Sequence, residues 1–188
     1  KLSEKAWFSV FAQYTKRDNT TLSTGTHNAD AWNMAHAGFK VDWEISEKDA
    51  LSVQGGLYDG KRKTATNPSP LNGQHLMTRW SRQYSPRSSL TVDLYYDRYY
   101  YDDAPSFSSD KMTTVDADLQ HRFGLGKRHN LIWGAGYRYV KDDAHFVPRS
   151  VAGILPRYKR LDLFHAFVQD EFALSNSLRL VVGTKLLH

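Results

Sequence analysis

Apolar and polar side chains alternate with a period of two along most of the chain, and the clearest run spans residues 32–45. Ala35, Ala37, Phe39, Val41, Trp43 and Ile45 fall on one side of an extended strand there, and His36, Gly38, Lys40, Asp42 and Glu44 on the other. A helix would mix these two sets, because its side chains recur every 3.6 residues. The same pattern predicts strands at 6–16, 51–58, 75–84, 90–99, 114–123, 131–140, 161–172 and 178–187. That makes nine strands, mostly ten residues or longer, where strands of soluble proteins usually run about five or six.

The connections alternate in length as well. Short polar turns are expected at 46–49, 85–88, 124–128 and 175–177, and long loops at 17–31, 60–72, 101–112 and 141–157. Asn67-Pro68-Ser69-Pro70 and Ala104-Pro105 are expected to break any strand in the second and third loops. Tight turns on one side and loose loops on the other suit a membrane barrel whose turns face the periplasm and whose loops face outward. The odd-numbered strands then run outward.

Alternation also fits a soluble antiparallel sandwich, so the placement of charge decides between them. In mid-strand the apolar face carries Phe8, Val10, Phe39, Val53, Leu76, Trp80, Leu94, Val115, Trp133, Phe164 and Val182, with no charge among them. Asp59, Arg82, Arg98, His121 and Asp170 break the phase, and each lies within a few residues of a turn or loop. This matches the cost of a lipid-facing cation, about 2–4 kcal/mol at the bilayer midplane and near zero at its edges. The other face mixes Lys40, Asp42, Arg79, Asp93, Asp116, Asp118, Arg122 and Arg138 with Trp7, Phe11, Tyr58 and Tyr95, as the wall of a wide lumen can. Tyr95, Tyr96, Tyr99, Tyr100 and Tyr101 read together as an aromatic girdle running into a loop.

Composition removes other classes. No apolar run reaches the length of about 18 residues that a membrane helix needs. The chain has no Cys, which excludes a disulfide scaffold and thiolate metal sites. Its 25 Lys and Arg against 20 Asp and Glu are scattered, without the one-sided cluster of a nucleic-acid surface. The eight His show no metal-ligand spacing. Asp116 and Asp118, with Arg122 on the same face, read as a salt-bridge ladder. No Ser sits in a Gly-x-Ser-x-Gly elbow, so no enzyme and no cofactor are expected. Nine strands do not close the even-numbered barrel usual for bacterial chains, and both ends read as cut. The expected fold is all-β: an antiparallel transmembrane barrel fragment covering residues 1–188.

Particular segments carry a resemblance. Ala166-Phe167-Val168-Gln169-Asp170-Glu171-Phe172, a short turn, and Leu178-Arg179-Leu180-Val181-Val182-Gly183-Thr184-Lys185 resemble a hairpin of TonB-dependent outer-membrane receptors. Asp118-Leu119-Gln120-His121-Arg122-Phe123 leading into Trp133-Gly134-Ala135-Gly136-Tyr137-Arg138 resembles another, and Phe8-Ser9-Val10-Phe11-Ala12-Gln13-Tyr14 an early barrel strand. The resemblance implies the early part of a 22-stranded barrel in the bacterial outer membrane, with its N-terminal plug and remaining strands absent. It implies uptake of a metal chelate such as a siderophore or cobalamin, with outer-membrane lipid and, through the missing plug, TonB as partners. A passive porin-like channel and a soluble all-β carbohydrate-binding module are the alternatives. Tyr58, Arg79, Tyr95 and Arg138 on the lumen side suit an anionic, aromatic chelate and are the candidate ligand-binding residues.

Overall fold

The computed structural model describes residues 4–65, 67–103, 108–146 (without the side chain of Phe146), 156–175 and 177–188. They form nine strands: β1 (Ala6–Arg17), β2 (Trp32–Glu44), β3 (Asp49–Arg62), β4 (Ser69–Ser85), β5 (Ser88–Asp103), β6 (Ser108–Leu125), β7 (His129–Phe146), β8 (Tyr158–Ala173) and β9 (Arg179–Leu187). Each pairs antiparallel with the next, giving one sheet in the order β1 to β9. It has no second layer. Among the described residues only Ala6 and Ala144 are buried apolar residues, and Phe8, Val10, Leu94, Phe164 and Val182 stand exposed. A soluble sandwich buries such a face against a second sheet.

The short turns are built locally and fix the register. Ser46 Oγ accepts from the backbone N–H groups of Lys48 (3.1 Å) and Asp49 (3.0 Å). Ser175 Oγ does the same for Ser177 and Leu178, and Ser85 Oγ for Arg87. A hydroxyl folded back on the chain in this way stabilises a tight reversal. The β6–β7 turn instead uses Gly126 at φ +59°, a left-handed position that glycine adopts without strain.

Residues opposite each other in register share a face, which tests the face assignment strand by strand. Phe8 pairs with Val41, Val41 with Val53, Val53 with Thr78, Thr78 with Leu94, Leu94 with Ala117, Ala117 with Tyr137 and Tyr137 with Phe164. Every residue assigned above to the apolar face lies on this side except Ile45, which falls just past the end of β2.

The apolar belt is slanted relative to these rows. Towards the long loops the first charge on this face is Lys16 on β1, four pairs beyond the Phe8 row. It is Asp59 on β3, three pairs beyond, and Asp162 on β8, one pair beyond. At the other end Asp49 and Arg82 lie two pairs below that row and Asp170 three. Strands tilted in a bilayer require such a drift, because the membrane is level while the hydrogen-bonded rows are not. On β3 the belt lies between Asp49 and Asp59. At about 3.4 Å per residue and a tilt near 45°, that interval is about 25 Å tall, the height of an outer-membrane hydrocarbon band.

Two expectations need correction. The loops expected at 60–72 and 101–112 are mostly strand: β3 runs to Arg62, β4 starts at Ser69, β5 reaches Asp103 and β6 starts at Ser108. Ser69 and Pro70 therefore do not break the strand. They open it, and Pro is tolerated among the first residues of a strand. The five tyrosines also split. Tyr96 and Tyr100 share the apolar face, while Tyr95, Tyr99 and Tyr101 fall on the polar one. Ala104-Pro105 and most of the 141–157 loop lie outside the described residues.

Candidate functional site

The polar face of β4–β8 is organised by ion pairs across neighbouring strands. Arg79 donates to both oxygens of its partner Asp93, at 2.7 and 3.1 Å. Arg138 is bound to its partner Asp116. His165 Nε2 lies 2.9 Å from Asp118 Oδ1, reaching over Gly136, the residue between them in register. The ladder expected on the Asp116 side is therefore present with a different cation. Arg122 sits three pairs below and donates to Asn130 Oδ1 at 3.0 Å. Bidentate Arg to carboxylate geometry is directional, so these pairs fix side-chain positions more than they add stability at half-exposed sites.

A second feature of this face was not read from the sequence. Five glycines each stand opposite a ring: Gly38 and Phe11, Gly56 and His75, Gly73 and Tyr58, Gly134 and Phe167, Gly136 and His165. In every pair the ring covers the place of the missing side chain. A Cβ on Gly38 would lie 2.5 Å from the Phe11 ring, and one on Gly134 the same distance from Phe167. Rings laid across glycine lie along the wall instead of standing out from it. The sequence signal was available: glycines at polar-face phase, inside strands.

The four candidate ligand residues all lie on this face. Arg79 and Tyr95 occupy adjacent rows, with Arg138 two strands from Tyr95 through Asp116. Tyr58 lies two rows further towards the long loops, covering Gly73, whose other neighbour is Tyr99. Both arginines are already committed to carboxylates, and Tyr95 is hydrogen-bonded to the Asp97 side chain two residues along its own strand. Tyr99 Oη donates to Asp110 Oδ2. Among the described residues no group of three His, Cys, Asp or Glu could hold a metal ion.

The β1–β2 loop at the same end is ordered by its own side chains. Asp30 accepts from the Thr20 backbone N–H at 2.8 Å and from Thr20 Oγ1 at 2.6 Å. Asn19 Oδ1 accepts from the backbone of Ala31 at 2.9 Å. The Thr20 hydroxyl and backbone bonds favour the ionised form and hold the Asp30 carboxyl below its ordinary value. The loop thus has a defined shape before anything binds to it.

No family model matches the sequence, and no curated protein matches it. Solved structures do. The ferric enterobactin receptor PfeA of Pseudomonas aeruginosa, in a G324V mutant, aligns over 100% of this chain and 35% of its own, at TM-score 0.71 and 12% identity. The siderophore receptor PirA of the same organism aligns over 99% and 31%, at 0.69 and 13%. The copper transporter OprC aligns over 97% and 32%, at 0.67 and 14%. These are TonB-dependent receptors. The chain has the fold of their barrels and spans about a third of their length.

Proposed function

We propose that the chain belongs to an outer-membrane receptor that takes up a metal chelate, of siderophore or cobalamin type, with energy passed by TonB. The observation that carries this reading is one sheet with two unlike faces: a slanted, uncharged belt on one and a ring-lined, ion-paired wall on the other. Lipid satisfies the first. The second fits a lumen filled by protein and crossed by a polar cargo. In this proposal the remaining strands and a plug lie elsewhere in the full protein, since the aligned receptors are about three times as long.

Cargo contact belongs to the long-loop end of the polar face. Tyr58 and Tyr95 offer rings to an aromatic chelate, while Arg79 and Arg138 shape the wall through Asp93 and Asp116 and bind anions only by leaving those partners. A passive channel with the same wall is the competing reading. Uptake by cells that carry the full-length protein as their sole receptor separates the two. With a panel of labelled ferric chelates and labelled cobalamin, one label is expected to accumulate, and collapsing the proton-motive force or deleting TonB is expected to stop it. Uptake that continues undiminished in de-energised cells contradicts the receptor reading and supports the channel.

A further inference from the structure

At the short-turn end of the polar face, the β4–β5, β6–β7 and β8–β9 hairpins together line a polar cavity of about 420 Å³. Five of its side chains are cationic, Arg87, Arg122, Lys127, Arg128 and Arg179, against one carboxylate, Glu171. All five cations are exposed. Glu171 is already held, because Arg179 Nη1 donates to its Oε1 at 2.7 Å and Asn130 Nδ2 to its Oε2 at 3.3 Å. Arg122 acts on it only at longer range. Among the described residues the other four cations are in no ion pair, and Arg122 stands in register between Ser89 and Ile132.

Two of these guanidinium groups are positioned before anything binds. Arg87 donates through Nη1 to the Gly126 carbonyl and through Nη2 to the His129 carbonyl at 3.1 Å, and it lies across Gly124, where a Cβ would meet it at 2.5 Å. Those bonds use two of its five N–H groups. Arg122 Nε donates to Asn130 Oδ1 at 3.0 Å, which leaves both of its terminal amino groups for a ligand. At mid-depth on the same face the arginines are treated differently, since Arg79 meets Asp93 and Arg138 meets Asp116. Carbonyls and an amide orient a guanidinium without neutralising it.

From Arg122 on β6 to Arg179 on β9 the cations extend over three strand spacings, about 14 Å, which one compact ion such as phosphate does not bridge. An extended peptide covers that span with about four residues. We propose that this cavity docks an acidic segment of a separate periplasmic polypeptide, one with closely spaced carboxylates that meet the guanidinium forks in charge-assisted hydrogen bonds. Turn residues supply Arg87, Lys127 and Arg128, so a chain outside the barrel reaches them. The proposal rests on the outer-membrane reading above for its compartment, because that reading places the short turns in the periplasm.

The test uses the full-length protein in mild detergent at physiological ionic strength, with a fluorescein-labelled hexaglutamate peptide as probe and fluorescence anisotropy as readout. Arg122→Gln with Lys127→Gln is expected to weaken binding about tenfold or more, and Arg87→Gln with Arg128→Gln to do the same. Lys141→Gln with Arg160→Gln removes equal charge at the far end of the sheet and is expected to change binding by less than about twofold, since salt screens that distance. Glu171→Gln frees Arg179 and is expected to tighten binding about threefold, a gain that a damaged barrel does not mimic. Heat-modifiable electrophoretic mobility reports whether each barrel is folded. A folded wild-type protein that ignores the peptide, its cavity covered by the rest of its own chain, overturns this inference. So does an equal loss from the distant pair, or displacement of the peptide by the same concentration of inorganic phosphate. None of these outcomes touches the functional reading, which the uptake measurement above judges separately.

Discussion

In the full-length barrel, Val41→Arg is expected to destabilise by about 2–4 kcal/mol, while Lys40→Ala one residue away costs under about 1 kcal/mol. Val41 lies in the Phe8 row, well inside the uncharged belt, so a guanidinium there must be drawn out of hydrocarbon. Lys40 faces the other way and forms a half-exposed pair with Asp42 at 2.9 Å, an interaction that is weak in water. Equilibrium unfolding in lipid vesicles, comparing both variants with the parent, gives the two values. Equal costs, or a larger cost at Lys40, contradict the face assignment for the whole sheet, because the register ties every strand to this one.

The glycine and ring pairs give the second large effect. Gly134→Ala is expected to cost about 1–3 kcal/mol, the range for overpacking a filled site. The new Cβ would meet the Leu119 carbonyl oxygen as well as the Phe167 ring, both at 2.5 Å, and the carbonyl belongs to the sheet backbone. The atoms nearest a Cβ on Gly136 are the ends of the Asp118 and His165 side chains, which can swing aside, so Gly136→Ala is expected to cost less. Adding Phe167→Ala to Gly134→Ala should recover only part of the loss, since the Leu119 oxygen remains. The same unfolding measurement checks this, and equal costs at Gly134 and Gly136 would contradict the backbone contact.

Alternation carried much of the architecture. All nine strands, both faces and the position of every mid-strand charge were readable, because a buried or lipid-facing side makes period two physically obligatory. The reading failed where that obligation lapses. Beyond the belt both faces meet water, so Ser109, Lys111, Asp143 and His145 show no alternation although they continue β6 and β7. For this reason β5 and β6 take up residues 101–103 and 108–112 of the loop expected at 101–112. Partner choice was also invisible. Asp116 pairs with Arg138 and not Arg122, a matter of cross-strand register that no single strand contains. The Gly and ring pairs escaped because a glycine contributes nothing to a polar-apolar pattern, and its meaning appears only when the opposite strand is known.

Contact between the apolar face of this sheet and lipid is directly measurable by cysteine labelling, since these 188 residues contain no cysteine and any elsewhere in the full-length protein is first replaced by serine. Single cysteines placed along β3 of the full-length protein, at each position from Leu51 to Tyr58, can carry a nitroxide in reconstituted bilayers. Collision with oxygen, which concentrates in hydrocarbon, and with a water-soluble nickel chelate is then read at each site. A period of two is expected: high oxygen and low nickel exposure at Leu51, Val53, Gly55 and Leu57, and the reverse order at Ser52, Gln54, Gly56 and Tyr58. A flat profile, or high oxygen exposure at the second set, would contradict it.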